Sequence, residues 1–262
     1  MPQIGWEIDG ERWSLEEALQ IARTEGAWQG YPAPVLQRLV ATERDEDVIS
    51  PSMAAGCLRQ AFLRREVDYY ADPRERFAAG IGTAVHEWLA GSEDSDTIIK
   101  ETRFEIPVAG NPLLKLSGQI DRFDIEHGIL IDFKTTNSLY KKDPPPYDYV
   151  LQQNLYIYLL RRHGYEVKRS FLWFVVPKTK RKKVEEGFIT EVDRMLVEVP
   201  IWPPDEQWAA VDALAERIRA ILRTGELPPP YAPDDENAWR CQFCPVAEIC
   251  AQRALDEMDA VA

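Results

Sequence analysis

The chain lacks any apolar stretch near the roughly 18 residues that a membrane-spanning helix requires. Its first residues also lack the basic segment and apolar run of a secretory signal, so a cytoplasmic location is expected. Disorder is excluded because 45% of the 262 residues are hydrophobic and 29% are charged, which is ordinary for a folded chain. This length favours one large domain, or one domain with an appended subdomain.

Positive charge is also scarce, since 31 Lys and Arg residues stand against 44 Asp and Glu, a formal net charge of −13. Such a deficit argues at first against nucleic acid, because phosphate binding draws on clustered Lys and Arg. The deficit is confined to the ends of the chain. Residues 1–50 hold 4 basic and 10 acidic residues, residues 201–262 hold 5 and 12, and residues 51–200 hold 22 of each.

Three consecutive regions are predicted from the pattern of helices, strands and prolines. Residues 1–50 are expected to be acidic accessory helices, the first beginning at a capping box formed by Ser14 and Glu17. Residues 51–227 alternate helix and strand signals, which predict an α/β core with a mixed sheet flanked by helices. Residues 228–262 begin with three prolines and hold a cysteine segment.

Within the core, hydrophobic spacing predicts both helices and strands. The helices are expected at 52–66, 73–90 and 147–162, and the strands at 103–108, 113–125, 128–135 and 170–176. A tight turn at 126–128 should join two of these strands into a hairpin.

Two carboxylates are expected to meet across this hairpin. Asp121 and Asp132 lie at similar distances from its turn, so their side chains are neighbours on adjacent strands. Neighbouring carboxylates repel each other unless a cation lies between them, and hard oxygen ligands favour a divalent metal. Lys134 shares the strand face of Asp132, where it could orient a water or stabilise charge on a phosphate. His86 could add an imidazole ligand, which favours Mn over Mg.

Taken singly, each of these residues has an ordinary explanation as a solvated or structural group, but their joint order is specific. The chain reads GTAVH at 82–86, GQID at 118–121, DFK at 132–134 and QQNLY at 152–156. This set resembles the RecB-type branch of the PD-(D/E)XK nuclease superfamily, which has a restriction-endonuclease-like core. The resemblance implies metal-dependent hydrolysis of phosphodiester bonds in DNA, by an exonuclease acting on single strands or overhangs.

The same resemblance implies roles for individual residues. The metal ligands would be His86, Asp121, Asp132 and the carbonyl oxygen of Phe133, around a Mg or Mn ion. Lys134 would assist the attacking water, and Gln152 and Tyr156 would support the lysine and the substrate. Gln153 competes with Gln152 for the glutamine role but lacks the four-residue spacing to Tyr156.

Cysteine is scarce as well, and all four residues fit one pattern. Cys241, Cys244 and Cys250 form C-x2-C-x5-C, and Cys57 lies far upstream. Four thiolates can hold either zinc or an iron-sulfur cluster. Zinc ribbons favour two paired C-x2-C knuckles, which are absent from this sequence, although zinc stays open. It also stays open that Cys57 is an ordinary buried residue and the other three are incidental.

The cysteine spacing is similar to that of the iron-sulfur RecB-like nucleases, including AddB-type subunits of bacterial recombination machines and the CRISPR-associated fourth Cas family. This resemblance implies a [4Fe-4S] cluster that joins the carboxy-terminal segment to the helix near Cys57. It leaves open whether the biological context is CRISPR adaptation, recombination and repair, or phage replication. Protein partners from those processes and an oligomeric assembly are compatible with it, and no membrane partner is expected.

A basic run follows the last predicted core strand and is expected to form an exposed loop that contacts phosphates. Its residues are Lys178, Lys180, Arg181, Lys182 and Lys183. A non-enzymatic alternative also remains, in which the nuclease-like fold serves as a DNA-end-binding or scaffolding subunit with a structural cluster.

Overall fold

The computed structural model describes residues 3–40, 48–91, 95–108, 111–140, 142–184 and 187–259. The strands are β1 (Gln3–Ile8), β2 (Glu11–Ser14), β3 (Val48–Ile49), β4 (Tyr69–Ala71), β5 (Ile98–Val108), β6 (Asn111–Asp124), β7 (Ile129–Thr135), β8 (Arg169–Val184) and β9 (Gly187–Glu198). The helices are α1 (Leu15–Glu25), α2 (Ala33–Leu39), α3 (Pro51–Ala54), α4 (Leu58–Glu66), α5 (Pro73–Ala90), α6 (Tyr147–Arg162), α7 (Pro204–Thr224) and α8 (Ala247–Asp259), with a short 3-10 helix at Ala238–Phe243. None of the helices in these ranges is both long and apolar enough to cross a bilayer.

The chain divides into two compact units that interleave along the sequence. The first unit takes residues 1–44, 57–80 and 220–262, and the second takes residues 45–56 and 81–219. The division into consecutive regions at 1–50, 51–227 and 228–262 stays a prediction.

The first unit contains a small three-stranded sheet in the order β2-β1-β4. β1 pairs antiparallel with β2, which sets Trp6 opposite Trp13. Gly5 is required by close approach, because a Cβ atom there would lie 2.2 Å from the carbonyl oxygen of Trp13. Residues 3–8 and 11–14 are therefore strands, in a stretch ahead of the Ser14 cap for which the sequence pattern predicted neither helix nor strand. The signal was too short for a pattern-based strand prediction, since β2 has only four residues.

The capping box predicted in the same segment is confirmed. The Ser14 side chain accepts a hydrogen bond from the Glu17 backbone N–H, and the Glu17 carboxylate accepts one from the Ser14 backbone. Two donors at the start of α1 are satisfied in this way, which fixes where the helix begins.

The second unit is built on a six-stranded mixed sheet. Its main path is β3-β6-β7-β8-β9, and β5 pairs with β6. β6 and β7 are antiparallel, which confirms the predicted hairpin, and β7 and β8 are parallel, with α6 as the connection between them. A parallel pair needs such a crossover because its strand ends lie at opposite edges. The fold is thus the predicted mixed α/β arrangement.

One edge of β6 is split between two partners. Along this edge, Lys115 and Leu116 pair with β3, whereas Arg122 to Asp124 pair with β7. The stretch of β6 from 117 to 121 lies between these two pairings, and Asp121 is at its end. This interruption leaves room for side chains at the open end of the β6-β7 hairpin.

Helix α6 is almost entirely buried, including its polar residues Gln152, Gln153 and Asn154. Its approach to the sheet depends on Gly118, because a Cβ atom at that position would lie 2.8 Å from Tyr156 Cε1. The glycine of the GQID motif therefore acts through packing, since it lets the helix that carries Gln152 and Tyr156 lie close to β6.

The helix predicted at 52–66 is divided, which corrects the sequence-based expectation. α3 ends at Ala54, and α4 begins after Cys57, whose backbone is extended and whose sulfur accepts a 3.4 Å hydrogen bond from the Gln60 N–H. Gly56 weakens helical continuity at this point. The break places Cys57 at a helix start rather than within a helix.

The basic run predicted as a loop is also corrected, because it belongs to strand β8. Residues 179–184 pair with residues 187–192 of β9, after a register shift between Val175 and Thr179. Pro177 lies within that shift, and a proline there is tolerated because the irregularity removes the need for its N–H. The basic residues thus alternate between the two faces of an extended hairpin.

A candidate metal-dependent active site

Helix α5 brings His86 to the end of strand β7. His86 Nε2 lies 2.9 Å from the Phe133 carbonyl oxygen, and His86 Nδ1 lies 3.3 Å from Asp121 Oδ1. Gly82 is one turn earlier on the helix, where a Cβ atom would come within 3.1 Å of Thr135 Oγ1. The glycine and the histidine of the GTAVH motif therefore both lie in the contact between helix α5 and strand β7.

Both ring nitrogens of His86 face acceptors in this arrangement. The hydrogen bond to Asp121 raises the pKa of His86, although partial burial of the ring opposes that shift. The carboxylate of Asp121 thus favours the protonated form of the ring.

Asp121 lies one residue beyond the last β6-β7 pair, where the two strands separate. Its Oδ2 atom accepts a 2.8 Å hydrogen bond from the Phe133 backbone N–H, while Oδ1 faces His86. This bridging role fixes the carboxylate in place. This contact ties Asp121 to the residue after Asp132. That the Asp121 and Asp132 carboxylates share one cation stays a prediction.

Glu101 is a residue that the sequence-based reasoning missed. Its neighbours Lys100 and Thr102 pair with Arg122 and Ile120, so Glu101 lies opposite Asp121 across the β5-β6 ladder. Its backbone has φ of +45°, a conformation that a residue with a side chain rarely adopts and that occurs repeatedly at functional sites.

The Glu101 carboxylate is held at one oxygen and open at the other. Oε2 accepts a hydrogen bond from Gln119 Nε2. Oε1 is buried, has no hydrogen-bond partner among the described residues, and lies 3.7 Å from His86 Nδ1. A buried carboxylate oxygen without a donor is costly unless a cation supplies the missing interaction. The pairing register that creates this arrangement is not visible in the sequence.

Three of these side chains form a group that can hold a metal ion. One ligand atom each from His86, Glu101 and Asp121 lies within 4.8 Å of the others. Two carboxylates and an imidazole are suitable ligands for Mn or Mg. The donor set and the unpartnered Glu101 oxygen fit a divalent cation.

Asp132 and Lys134 form a buried ion pair beside this group. Asp132 Oδ2 lies 2.6 Å from Lys134 Nζ, and both side chains are largely shielded from solvent. Burial raises the pKa of Asp132, against the opposing effect of Lys134. For Lys134, burial alone would lower the pKa, but the charge of Asp132 outweighs it and the pKa lies above its ordinary value. The lysine is therefore an ammonium.

Helix α6 adds Gln152 and Tyr156, which lie four residues apart. Gln152 Nε2 donates a 3.2 Å hydrogen bond to Tyr156 Oη. Burial, followed by the charge of Asp132, raises the pKa of Tyr156 to about 12, so its hydroxyl stays protonated. Gln153, the competing glutamine, instead accepts a 3.0 Å hydrogen bond from Ser170. The Gln-x-x-x-Tyr pair thus faces the charged group, and Gln153 does not.

The Phe133 carbonyl oxygen is predicted to be a metal ligand, and the structure places it beside His86. This oxygen is within hydrogen-bond distance of His86 Nε2, on the opposite side of the ring from Nδ1. The metal-holding group that includes His86 Nδ1 consists of Glu101 and Asp121. Phe133 as a metal ligand, and Asp132 as another, therefore remain predictions.

All four cysteines belong to the first unit and are free thiols. Burial raises the pKa of Cys244, and charges on Cys57, Cys250 and Cys241 would raise it further. Tetrahedral zinc would bring its sulfur ligands to about 3.8 Å from one another. No three cysteine sulfurs lie within 4.8 Å of one another in the part of the chain that the structure describes.

A buried arginine connects the helices that carry two of these cysteines. Arg59 of α4 is 1% exposed and donates a 3.2 Å hydrogen bond from Nε to the Cys250 sulfur. Its guanidinium also donates to the Pro228 carbonyl and to the Glu257 carboxylate. These hydrogen bonds hold α4 and α8 together beside Cys57 and Cys250.

The chain has family-level and structural relatives but no match among the curated proteins. The solved structure of SSO0001 superposes with a TM-score of 0.51 at 17% identity, covering 90% of this chain and 95% of that one. An alkaline exonuclease from Laribacter hongkongensis gives a TM-score of 0.41 at 11% identity, covering 68% of this chain and 90% of that one. A phage-related exonuclease from Haemophilus somnus gives 0.39 at 11% identity, covering 66% and 82%.

The first of these similarities supports the fold, and the family is established by the sequence itself. A model of the PD-(D/E)XK nuclease superfamily matches residues 34–251, which include the candidate ligands, the lysine and the helix that supports them. Nucleases of this superfamily use divalent metal ions, in agreement with the donor set of His86, Glu101 and Asp121. The chain belongs to the PD-(D/E)XK nuclease superfamily.

Proposed function

We propose that this protein is a metal-dependent exonuclease that hydrolyses phosphodiester bonds in single-stranded DNA or in overhangs. The observation that carries the proposal is the group formed by His86, Glu101 and Asp121 beside the buried Asp132–Lys134 pair. A cluster that combines metal ligands with a charged lysine has the components of metal-assisted hydrolysis.

In this proposal His86, Asp121 and Asp132 hold the ion, as the family resemblance implies, and Glu101 adds a further carboxylate. A divalent ion bound there would supply a Lewis acid and lower the pKa of a bound water. Asp121 also accepts a hydrogen bond from the Phe133 N–H, so the ligand is held in place before substrate arrives. The carbonyl oxygen of Phe133 is proposed as a backbone ligand.

Lys134 is proposed to orient the attacking water and to stabilise the negative charge that develops on the phosphate. Its ion pair with Asp132 keeps it protonated, so it acts as a donor and a charge rather than as a base. Gln152 and Tyr156 form a hydrogen-bonded pair on buried α6 and are proposed to position Lys134 and the substrate. Preorganised donors of this kind are effective because they do not need to reorganise during the reaction.

The four cysteines are proposed to hold a [4Fe-4S] cluster. Support comes from their C-x2-C-x5-C pattern with Cys57 and from the Arg59 donor to Cys250. Such a cluster would join α4 to α8 within the first unit.

The proposed activity is compatible with more than one biological process. End processing in CRISPR adaptation, in recombination and repair, or in phage replication would use the same chemistry, and partner proteins would come from that process. The alternative function, a scaffold that binds DNA ends without cutting them, needs the same fold and the same cluster.

The test of the proposed function uses protein purified without oxygen and a single-stranded oligonucleotide labelled at either end. We expect Mn or Mg to produce single-nucleotide products from one labelled end, while a circular single strand of the same sequence stays intact. Asp121→Asn should bind the oligonucleotide without cutting it, because the amide is a poorer metal ligand. Cleavage of the circle would instead indicate an endonuclease, and binding without cleavage by the wild type would favour the scaffold.

Glu101 can be tested by metal binding alone. Glu101→Gln is expected to weaken Mn binding by about 10-fold or more, because it removes a charged oxygen from the ligand group. The measurement is calorimetric titration of the protein with Mn, without DNA. Glu105→Gln is the matched control, since Glu105 is on the same strand and its carboxylate accepts a hydrogen bond from Ser117. Equal Mn affinity in both variants would remove Glu101 from the site.

A further inference from the structure

The β8-β9 hairpin continues well past the sheet and begins beside the candidate active site. Lys134 and Thr135 of β7 pair with Phe174 and Val175 of β8, and these are the last pairs between the two strands. β8 then runs on to Val184, a further nine residues or about 30 Å of extended chain. We call residues 176–184 and 187–194 the arm. It starts at the strand end that carries Lys134.

The two faces of the arm differ in their charge. Lys180 lies opposite Glu191 and forms an ion pair with Asp193, and Lys182 forms one with Glu191 at 3.4 Å. We call the face with these four residues the Lys180 face. Its positive charges are largely compensated by its own carboxylates.

The opposite face, which we call the Arg181 face, keeps its positive charge. Its described residues are Thr179, Arg181, Lys183, Phe188, Thr190 and Val192. None of these six is acidic, and none of the ion pairs described in the structure involves Arg181 or Lys183. The four basic residues at 180–183 are thus unequal in what they offer to a ligand, and Lys178 lies within the register shift.

An aromatic ring lies between the uncompensated charges. Phe188 is 62% exposed and lies opposite Lys183, and the Arg181 guanidinium is 5.1 Å from its ring centre. An exposed phenylalanine on a hairpin costs free energy in water unless something covers it. Aromatic rings flanked by cations are the surfaces on which unpaired bases stack while the cations contact phosphates.

We propose that the Arg181 face binds single-stranded DNA as it leaves the active site, with a base stacked on Phe188 and phosphates held by Arg181 and Lys183. The proposal rests on the nuclease function proposed above and names the surface that would hold the unpaired bases of that substrate. A duplex would not offer a free base face to Phe188. The Lys180 face takes no part in this contact.

Two charge-matched double variants test the phosphate contacts. They are Arg181→Gln/Lys183→Gln and Lys180→Gln/Lys182→Gln, and each removes two positive charges, so long-range effects are common to both. We expect the first double variant to bind a 20-nucleotide dT strand about 10-fold more weakly, with a salt slope reduced by about 1.4, or about 0.7 per phosphate contact. The second double variant should bind the strand no more than about 3-fold more weakly. The measurement is fluorescence anisotropy at several salt concentrations without divalent metal.

Phe188→Ala tests the stacking contact, and Ile189→Ala on the Lys180 face is its control. Phe188→Ala should weaken binding of the dT strand about 5-fold and leave binding of an abasic strand of the same length unchanged. Ile189→Ala should change neither. All six substituted positions are exposed strand residues, and circular dichroism of each of the four variants checks that it folds.

Three outcomes would overturn the proposal. The two double variants could weaken binding equally. Phe188→Ala could weaken binding of the abasic strand as much as binding of the dT strand, or it could change the sedimentation of the protein. The last result would assign the ring to a contact between copies of the chain. Because binding is measured without divalent metal, a wild type that fails to cut DNA would refute the nuclease function without altering these readings.

Discussion

Replacing Lys134 with methionine is expected to lower the rate of DNA cleavage by about 10²–10³-fold, the usual effect of removing one donor aimed at developing negative charge. Methionine keeps an unbranched chain but has no ammonium, so the 2.6 Å ion pair with Asp132 is lost. Asp132 would then be a buried charge without its cation. Removing one partner of such a pair costs about 3–5 kcal/mol of folding free energy, which thermal unfolding of the metal-free protein would detect.

A double variant separates the loss of catalysis from the loss of stability. Asp132→Asn/Lys134→Met removes both charges, so no buried ion is left unpaired and most of the lost stability should return. Its cleavage rate should stay as low as that of Lys134→Met. Lys168→Met, at an exposed lysine, is the control for the substitution itself. Normal cleavage by Lys134→Met would contradict the role given to this residue.

Replacing Cys57 with serine is expected to remove bound iron and to lower the free energy of unfolding by at least about 2 kcal/mol. The reason is that the cluster would close a very long loop between α4 and the carboxy-terminal segment, which restricts the unfolded chain. Cys57 also caps α4 through its sulfur. Serine is a strong N-cap residue, so the helix start is preserved and the loss is attributable to the missing thiolate.

Metal analysis and thermal unfolding measure these effects together. Wild-type protein purified without oxygen should contain about four iron atoms per chain, with broad absorbance near ~400 nm. In a protein of this size, about 2 kcal/mol lowers the unfolding midpoint by about 4–8 °C. One zinc ion per chain and no iron would replace the cluster by a zinc site. Full iron content in Cys57→Ser would remove Cys57 from the ligand set.

The local pattern of the sequence was sufficient for a large part of the fold. The capping box at Ser14, the helices around His86 and Gln152, and the β6-β7 hairpin depend on residues that are close in the chain. Short-range spacing reports such elements directly, because side-chain periodicity and turn residues act within a few positions. Omissions and errors fell where local signals were weak, as in the four-residue strand β2 and the break at Gly56 before Cys57.

The basic run shows where local spacing stops being informative. Its composition indicated phosphate contact, but it was expected to be a loop, in which all five cations would be equivalent. Pairing with β9 instead places Lys180 and Lys182 beside carboxylates and leaves Arg181 and Lys183 beside Phe188. A strand has two faces, and the partner strand decides which charges on each face are compensated.

By itself the sequence determined which functional residues this protein has. They are a nuclease motif set in order, four cysteines in one pattern, and a basic run within the charge-balanced residues 51–200. Only the tertiary structure decided which groups meet. Glu101 enters the ligand group because the β5-β6 register sets it opposite Asp121, twenty residues away in the chain. Register between strands is set by the packing of the whole sheet, so no local pattern in β5 could have identified that carboxylate.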